Sequence, residues 1–469
     1  MKFLTSSLLL SAVLTLAACE VGPDYVKPSA PVSASFKEGA GNWLPAKPSD
    51  DMNRGMWWII YKDPALDLLE RQVEVSNQNL KASEAAYRQA VAVADQTQAQ
   101  LFPTLALGAG SSTAGSLSSH NKTITTYNVG LNASWTPDVW GRIRRQLESD
   151  EANAQASAAD LASAKLSAQA TLAADYFELR IEDEMKRILD AATEDDRKSL
   201  EIVQNQYEEG VAAKADVLTA STQLESVRAQ AINTGVQRAQ LEHAIAVLIG
   251  KPPGDFSIAP SQKPLANDVP LVPTGVPSAL LERRPDIASN ERQMAAANAE
   301  IGVAVSAYFP DITLAASLGY QSPVFGRLLN SSNSLWSFGP SLSETIFDAG
   351  ARDAAVEEAR AAYDQAVANY RQTVLTAFQQ VEDNLASLKI LAQEAQVVDT
   401  TVASSKQAEV LTLNQYKAGT VPYSSVLVAQ NTTLSNQQSA LTVYGNRLVA
   451  SVGLIQALGG GWDAGQLPK

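Results

Sequence analysis

Tyr127-Asn128-Val129-Gly130-Leu131-Asn132-Ala133-Ser134-Trp135-Thr136 alternates without a slip between apolar and small polar side chains. Successive side chains of an extended chain point to opposite faces, so this stretch has one apolar face and one thinly polar face. Three further segments read the same way. Leu105, Leu107 and Ala109 alternate with Thr104, Ala106, Gly108 and Gly110; Ile312, Leu314, Ala316, Leu318 and Tyr320 alternate with Asp311, Thr313, Ala315, Ser317 and Gly319. Trp336, Phe338, Pro340, Leu342 and Ile346 alternate with Ser337, Gly339, Ser341, Ser343 and Thr345. Strands of about ten residues with this dyad pattern are the signature of an outer-membrane β-barrel. Tyr127, Trp135, Tyr320 and Trp336 lie toward segment ends, where interfacial aromatics belong. A soluble sheet with one wet face would share the alternation. The expected strands are about 104–115, 124–136, 311–322 and 334–347.

Outward from these strands, the chain is a duplication. Leu101-Phe102-Pro103 recurs as Tyr308-Phe309-Pro310, and Asp138 to Arg142 recurs loosely as Phe347 to Arg352. Tyr207-Glu208-Glu209-Gly210 recurs as Tyr416-Lys417-Ala418-Gly419, and Ile245 to Gly250 as Ile455 to Gly460. The offset stays between 207 and 210 at every landmark. The first repeat covers 63–250 and the second 280–458, joined by a Pro-rich linker, 251–279. Each copy reads helix, strand pair, very long helix, turn, long helix.

Asp63-Pro64 is a helix start, with Asp as N-cap and Pro in the first turn, and this helix is expected to run to about Gln100. From Arg142 to Glu209, and again from Ala351 to Ala418, there is no Gly or Pro. Each stretch would extend about 100 Å as helix. The long helices expected are 142–209, 213–249, 351–418 and 422–458. Scattered charges rule them out as membrane spans. Leu161, Leu166, Leu172, Phe177, Leu179 and Ile181 form a stripe on an Ala-rich background, which asks for coiled-coil-like partners. A solvated structural coiled coil would read alike.

Strand arithmetic then sets the assembly. Lipid forbids an open sheet edge, and two copies supply only four strands, so chains must share a barrel. Two chains would give about eight strands, a size whose interior is filled by side chains. Gly, Ser, Thr and Asn are too small to fill it. Three chains give twelve strands and a wet lumen. The fold class expected is therefore mainly α with a membrane β-barrel: a homotrimer sharing a 12-stranded barrel continuous with a long α-helical periplasmic barrel.

The ends and the composition bound the function. Lys2, an apolar run from Leu4 to Leu16 and a small-residue close read as a secretory signal over 1–18. Leu16-Ala17-Ala18-Cys19 resembles a bacterial lipobox, which implies that Cys19, the sole cysteine, becomes an acylated (palmitate-bearing) N-terminus. Glu20 follows, and the absence of Asp there favours delivery to the outer membrane. Net charge is −14 with no Lys/Arg run, which excludes nucleic acid as a partner. His120 and His243 stand far apart, and Met52 and Met56 are the only close methionine pair. No metal site, no nucleophile–base set and no phosphate loop appears, so neither an enzyme nor a cofactor is expected, apart from the covalent lipid.

Gly22-Pro23-Asp24-Tyr25, Leu281-Glu282-Arg283-Arg284-Pro285-Asp286-Ile287, Ala296 to Gly302, Tyr308-Phe309-Pro310 and Ala457 to Trp462 together resemble the lipoprotein branch of TolC-like efflux proteins, the OprM/NodT type. The resemblance covers the mature chain. It implies an equatorial girdle built from 19–62, 251–279 and the tail 459–469. It also implies a periplasmic adaptor (membrane fusion) protein and an inner-membrane transporter of the resistance-nodulation-division class as partners. The implied role is a multidrug-resistance exit channel, passively conducting drugs or other toxic compounds. A type I protein-secretion outlet on the same scaffold is the alternative.

The family shuts its tube at the periplasmic turns, here Gly210 to Leu218 and Gly419 to Leu427. Relatives often carry Asp just after the Val-Leu pair of the second turn; this chain has Val428, preceded by Ser424 and Ser425. Asp216 occupies the first-copy site equivalent to Ser425, with Lys214 two residues earlier. The expectation is closure by Leu427 and Val428, with Asp216 as a cation-attracting charge. A plain turn or N-cap role is the other reading of Asp216.

Overall fold

Two helices of identical length dominate the computed structural model, which describes residues 20–33, 35–39, 55–115, 123–261, 269–272 and 280–468. The expected signal segment over 1–18, Cys19 and parts of the expected equatorial segments lie outside the described residues. The chain order is α1 (Pro64–Ser76), α2 (Gln78–Ala99), β1 (Thr104–Gly115), β2 (Thr123–Trp135), α3 (Arg142–Glu208) and α4 (Lys214–Leu248). The second copy supplies α5 (Pro285–Ser306), β3 (Asp311–Ser322), β4 (Ser334–Ser343), α6 (Ala351–Lys417) and α7 (Tyr423–Ala457). Helices α3 and α6 each have 67 residues, and α4 and α7 each have 35.

The duplication is written into the backbone. Gly141 and Gly350 precede the long helices, Gly210 and Gly419 follow them, and Gly250 and Gly459 follow the second helices, all at positive φ. Each pair lies 209 residues apart, which sets Gly250 opposite Gly459 rather than Gly460 as the sequence match has it. Glycine is the residue that takes this conformation without a Cβ penalty. Both long helices also start on an aspartate: Asp138 accepts from the Ile143 and Arg144 amides, and Asp348 from those of Gly350 and Arg352.

The helix expected from 63 to 100 is broken at Asn77. Its Oδ1 accepts from the amides of Asn79 and Leu80, starting α2, while its Nδ2 donates to Leu248 O at the end of α4. A residue that caps two helices at once has left helical backbone geometry, and its ψ is 124°. Strand β4 stops at Ser343 rather than 347. Ser343 pairs with Asp311, and the preceding Pro310 has no N–H with which to extend the ladder.

The main core sits at the equator, where α1 runs antiparallel along α3. Tyr176 donates to Asp63 Oδ2 at 2.7 Å, and Lys165 pairs with Glu74 at 2.6 Å. Leu66, Leu69 and Val73 of α1 pack with Leu172, Tyr176, Phe177 and Leu179 of α3, with Trp57 and Trp58 closing one side. Glu70 lies wholly buried among them, both carboxylate oxygens unpartnered. Burial pushes its carboxyl up to about 9.

The short motifs carrying the family resemblance meet in space. Arg284, buried, donates to Ala457 O at the end of α7 and to Gln380, and grips Asp286. A Cβ on Gly459 would lie 2.0 Å from Arg283 O, so this close approach demands glycine. At the other end, Gly22 rests on Gly302, where a Cβ would come within 2.4 Å of the Gly302 Cα. Buried Arg145 donates to Val21 O, Asp24 and Glu148, pinning the extended N-terminal segment against α3.

Candidate functional site

The four strands form one antiparallel sheet in the order β1-β2-β3-β4. Their register lines side chains into rows. Leu107, Leu131, Leu318 and Trp336 make one, and Leu105, Ala133, Ala316 and Phe338 the next. On the opposite face run Ala106, Asn132, Ser317 and Ser337, then Gly108, Gly130 and Gly319 with Leu335 at the β4 end. Leu105, Leu107, Trp336 and Phe338 are 67–76% exposed. Large apolar side chains lined up in rows and this exposed meet lipid or protein, not water. The small polar face suits a wet lumen.

The sheet meets the helices through aromatics. Trp135 Nε1 donates to Leu101 O, and Trp140 Nε1 donates to Pro310 O while its ring stacks on Phe309 at 4.9 Å. Rings with one wet end mark the membrane–water boundary. Among the described residues, no helix is long and apolar enough to cross a membrane.

At the far end, two helical hairpins, α3–α4 and α6–α7, form the tip. Val203, Val217, Ala220, Tyr416, Tyr423 and Val426 make a small core joining them. The rings of Tyr416 and Tyr423 lie 5.5 Å apart, with both hydroxyls buried and unpartnered. Burial, with the charge of Asp196 beside it, pushes the Tyr423 phenol up to about 12. Asp216 Oδ2 accepts the Ala213 amide at 3.3 Å, an N-terminal cap for α4, and its charge also bears on Tyr416. Lys214 Nζ stands 5.2 Å over the Tyr207 ring. Ser424 and Val428 are exposed, Val428 by 66%, while Ser425 and Leu427 are half-buried. The geometry thus brings Asp216 to the tyrosine pair of the other hairpin, and leaves Val428 on the open surface of the tip.

Sequence reasoning missed what lies above the tip. A cavity of about 450 Å³ opens among α3, α4, α6 and α7, lined by Asp195, Asp196, Gln223, Lys406, Glu409 and Gln430 among others. Gln430 Nε2 donates to Ser199 Oγ at 2.9 Å, and Gln223 and Asn431 exchange amide hydrogen bonds at 2.9 and 3.3 Å. Burial pushes the Asp196 carboxyl up to about 6 and raises that of Glu409 as well. Asp196 Oδ2 and Gln430 Oε1 have no partner. In the sequence Asp196 stands in a run of charges that reads as a solvated helix face.

The description "outer membrane efflux protein" belongs to a family model that matches the chain twice, over residues 69–251 and 276–460. The chain belongs to the outer membrane efflux protein family. The two matches fall on the two repeats. This outer membrane efflux protein is 31% identical over 475 residues to the toluene efflux pump outer membrane protein TtgC of Pseudomonas putida, covering 98% of this chain and 96% of the relative. It is 29% identical to the probable outer membrane lipoprotein SilC of Salmonella typhimurium, covering 97% and 98% of the two chains. Among solved structures, the outer-membrane channel OprN matches it with a TM-score of 0.88 at 29% identity, over 95% of this chain and 100% of the other. The protein is therefore an efflux channel of the outer membrane, not a protein-secretion outlet. Its fold, mainly helical with strands for a shared barrel, is that of these channels.

Proposed function

We propose that three copies of this chain close a 12-stranded barrel over a helical periplasmic tube, and that the tube passively conducts small toxic molecules outward. The observation that supports this most is that, among the described residues, the sheet has two unpaired edges, one on β1 and one on β4, and a broad exposed apolar face. Lipid offers those edges no hydrogen-bond partners, so each β4 pairs with the β1 of the next chain. A periplasmic adaptor and an inner-membrane transporter of the resistance-nodulation-division class supply substrate and energy; the tube itself works without a cofactor. Acyl chains on Cys19 anchor each copy, as in the OprM/NodT branch, and the likeness to the probable outer membrane lipoprotein SilC supports that reading. At the tip, Leu427 and Val428 pack to close the passage, with Ser424 and Ser425 beside them, and Asp216 with Lys214 sets its charge.

The test is native mass spectrometry of the detergent-extracted protein together with planar-bilayer recording. Three chains per particle and cation-selective conductance are expected; a particle of one or two chains would overturn the assembly. A deletion strain tested against a panel of toxic compounds should gain susceptibility to some. Mass analysis of the mature N-terminal peptide reads the lipid on Cys19 directly.

A further inference from the structure

The connection between β3 and β4 is unlike an ordinary water-facing loop. Val324-Phe325-Gly326-Arg327-Leu328-Leu329 is apolar apart from one arginine. Val324, Phe325 and Leu329 are 51–71% exposed. The segment folds back over the far end of the sheet, away from the helices. Phe325 meets the Tyr127 ring edge-on at 5.4 Å, and Tyr127 lies on the same face as Val129 and Leu131, the lipid-facing one. Between loop and strands lies a cavity of about 720 Å³, walled by Tyr127, Val129, Phe325, Leu328 and Leu329 with Asn330 at its side.

Charge singles out the same place. Arg327 is the only charged residue from 312 to 343, in a chain whose net charge is −14. It is exposed, and among the described residues no carboxylate pairs with it. Residues 102 to 137 likewise contain no acid. An acidic protein that keeps every carboxylate away from the outer ends of its strands suits a surface that is itself anionic.

We propose that this loop and cavity bind one phosphorylated, acylated glycolipid of the outer leaflet. One acyl chain fills the groove between Phe325 and Tyr127, and a headgroup phosphate accepts hydrogen bonds from the Arg327 guanidinium. A planar guanidinium grips phosphate oxygens in pairs, and the apolar wall extends the bilayer's own acyl environment. The inference rests on the sheet's apolar face meeting lipid, and goes beyond conduction.

Full-length trimers extracted from outer membranes in mild detergent test it, with bound lipid counted by native mass spectrometry. The wild type should retain phosphorylated glycolipid through an exchange wash against zwitterionic phosphatidylethanolamine. Arg327→Glu should retain about tenfold less, and Phe325→Ser with Leu329→Ser should also lose it, while Arg327→Lys keeps part of the binding. Adding dephosphorylated glycolipid to stripped trimers should restore little, and inorganic phosphate alone should leave no bound lipid. Equal retention by wild type and Arg327→Glu, or equal uptake of the dephosphorylated lipid, would overturn the proposal. Conductance of the same preparations, expected unchanged, reports separately on the proposed conduit.

Discussion

Gln430 of α7 and Ser199 of α3 share a buried hydrogen bond of 2.9 Å, which ties one tip hairpin to the other. Removing a partner of a buried hydroxyl costs about 1–3 kcal/mol. Gln430→Ala should therefore loosen the contact between the hairpins and raise the open probability of single channels in bilayers. A variant as closed as the wild type would show that this tie does not hold the tip.

Asp196, in the cavity beside that tie, makes the contact sensitive to acid. Its carboxyl is pushed from 3.8 up to about 6 by burial, so the packed tip disfavours the ionised form. The penalty is absent below pH 3.8, grows as pH rises toward 6, and is complete above it. Asp195 and Glu409 add negative charge there, Lys406 and Arg187 line the same cavity, and Gln223 offsets part of the shift through a hydrogen bond. The tip should be tightest at the acid end of this window and loosen as pH rises through it. Asp196→Asn should flatten the dependence of open probability between about pH 4 and 6 and hold it near its acid value; a profile unchanged by the substitution would count against this.

Glu70 supplies a stability test at the equator. Burial raises its carboxyl from 4.5 to about 9, so stability falls as pH climbs through that window. Glu70→Gln keeps the shape and removes the charge. Thermal unfolding at pH 8 should rise by about 3 °C or more, while at pH 4 the two proteins should melt together. A lower melting temperature at pH 8 would mean that the ionised carboxylate has a partner after all.

Gly319 faces Gly130 across β2 and β3, and a Cβ on Gly319 would lie 2.5 Å from Val129 O and 2.7 Å from the Gly130 Cα. Gly319→Ala must spread the two strands, at a cost of about 1–3 kcal/mol. Gly339 has nothing within 4 Å of such a Cβ. In a semi-denaturing gel, Gly319→Ala should lower the fraction of intact trimer, whereas Gly339→Ala should match the wild type.

Val428 bears on closure. It is 66% exposed on the tip of one chain, so it is free to meet its counterparts in an assembly. Val428→Ser should raise single-channel conductance, and an unchanged conductance would remove this residue from the gate.

The strands were legible because their signal is local: each side chain's face follows from parity alone, and the register then aligned the rows. The duplication was legible for a similar reason, since glycines needed at positive φ hold their spacing while other residues drift. Asn77 was not. Ser76-Asn77 is an ordinary polar step inside a helical pattern, and the break depends on Leu248 O, more than 150 residues away. Glu70 and Asp196 were hidden for the same cause. A carboxylate in a helix reads as solvated, and only the arrival of a second helix turns that face inward. The alternating rows carried the conduit, whereas the tip cavity had no trace in any single stretch of sequence.

The unbroken run of α3 has a mechanical consequence. From the equatorial core near Phe177 to its last residue, Glu208, the helix is a stiff arm about 45 Å long with no glycine or proline to bend it, and it meets its neighbours through Leu189, Ser199 and Val203. Such an arm is a lever. A swing of about 6° at the equator carries the periplasmic turn through about 5 Å, comparable to the span of a small solute. The aperture can thus be worked from its fulcrum, with little force applied at the orifice and no melting of any helical turn.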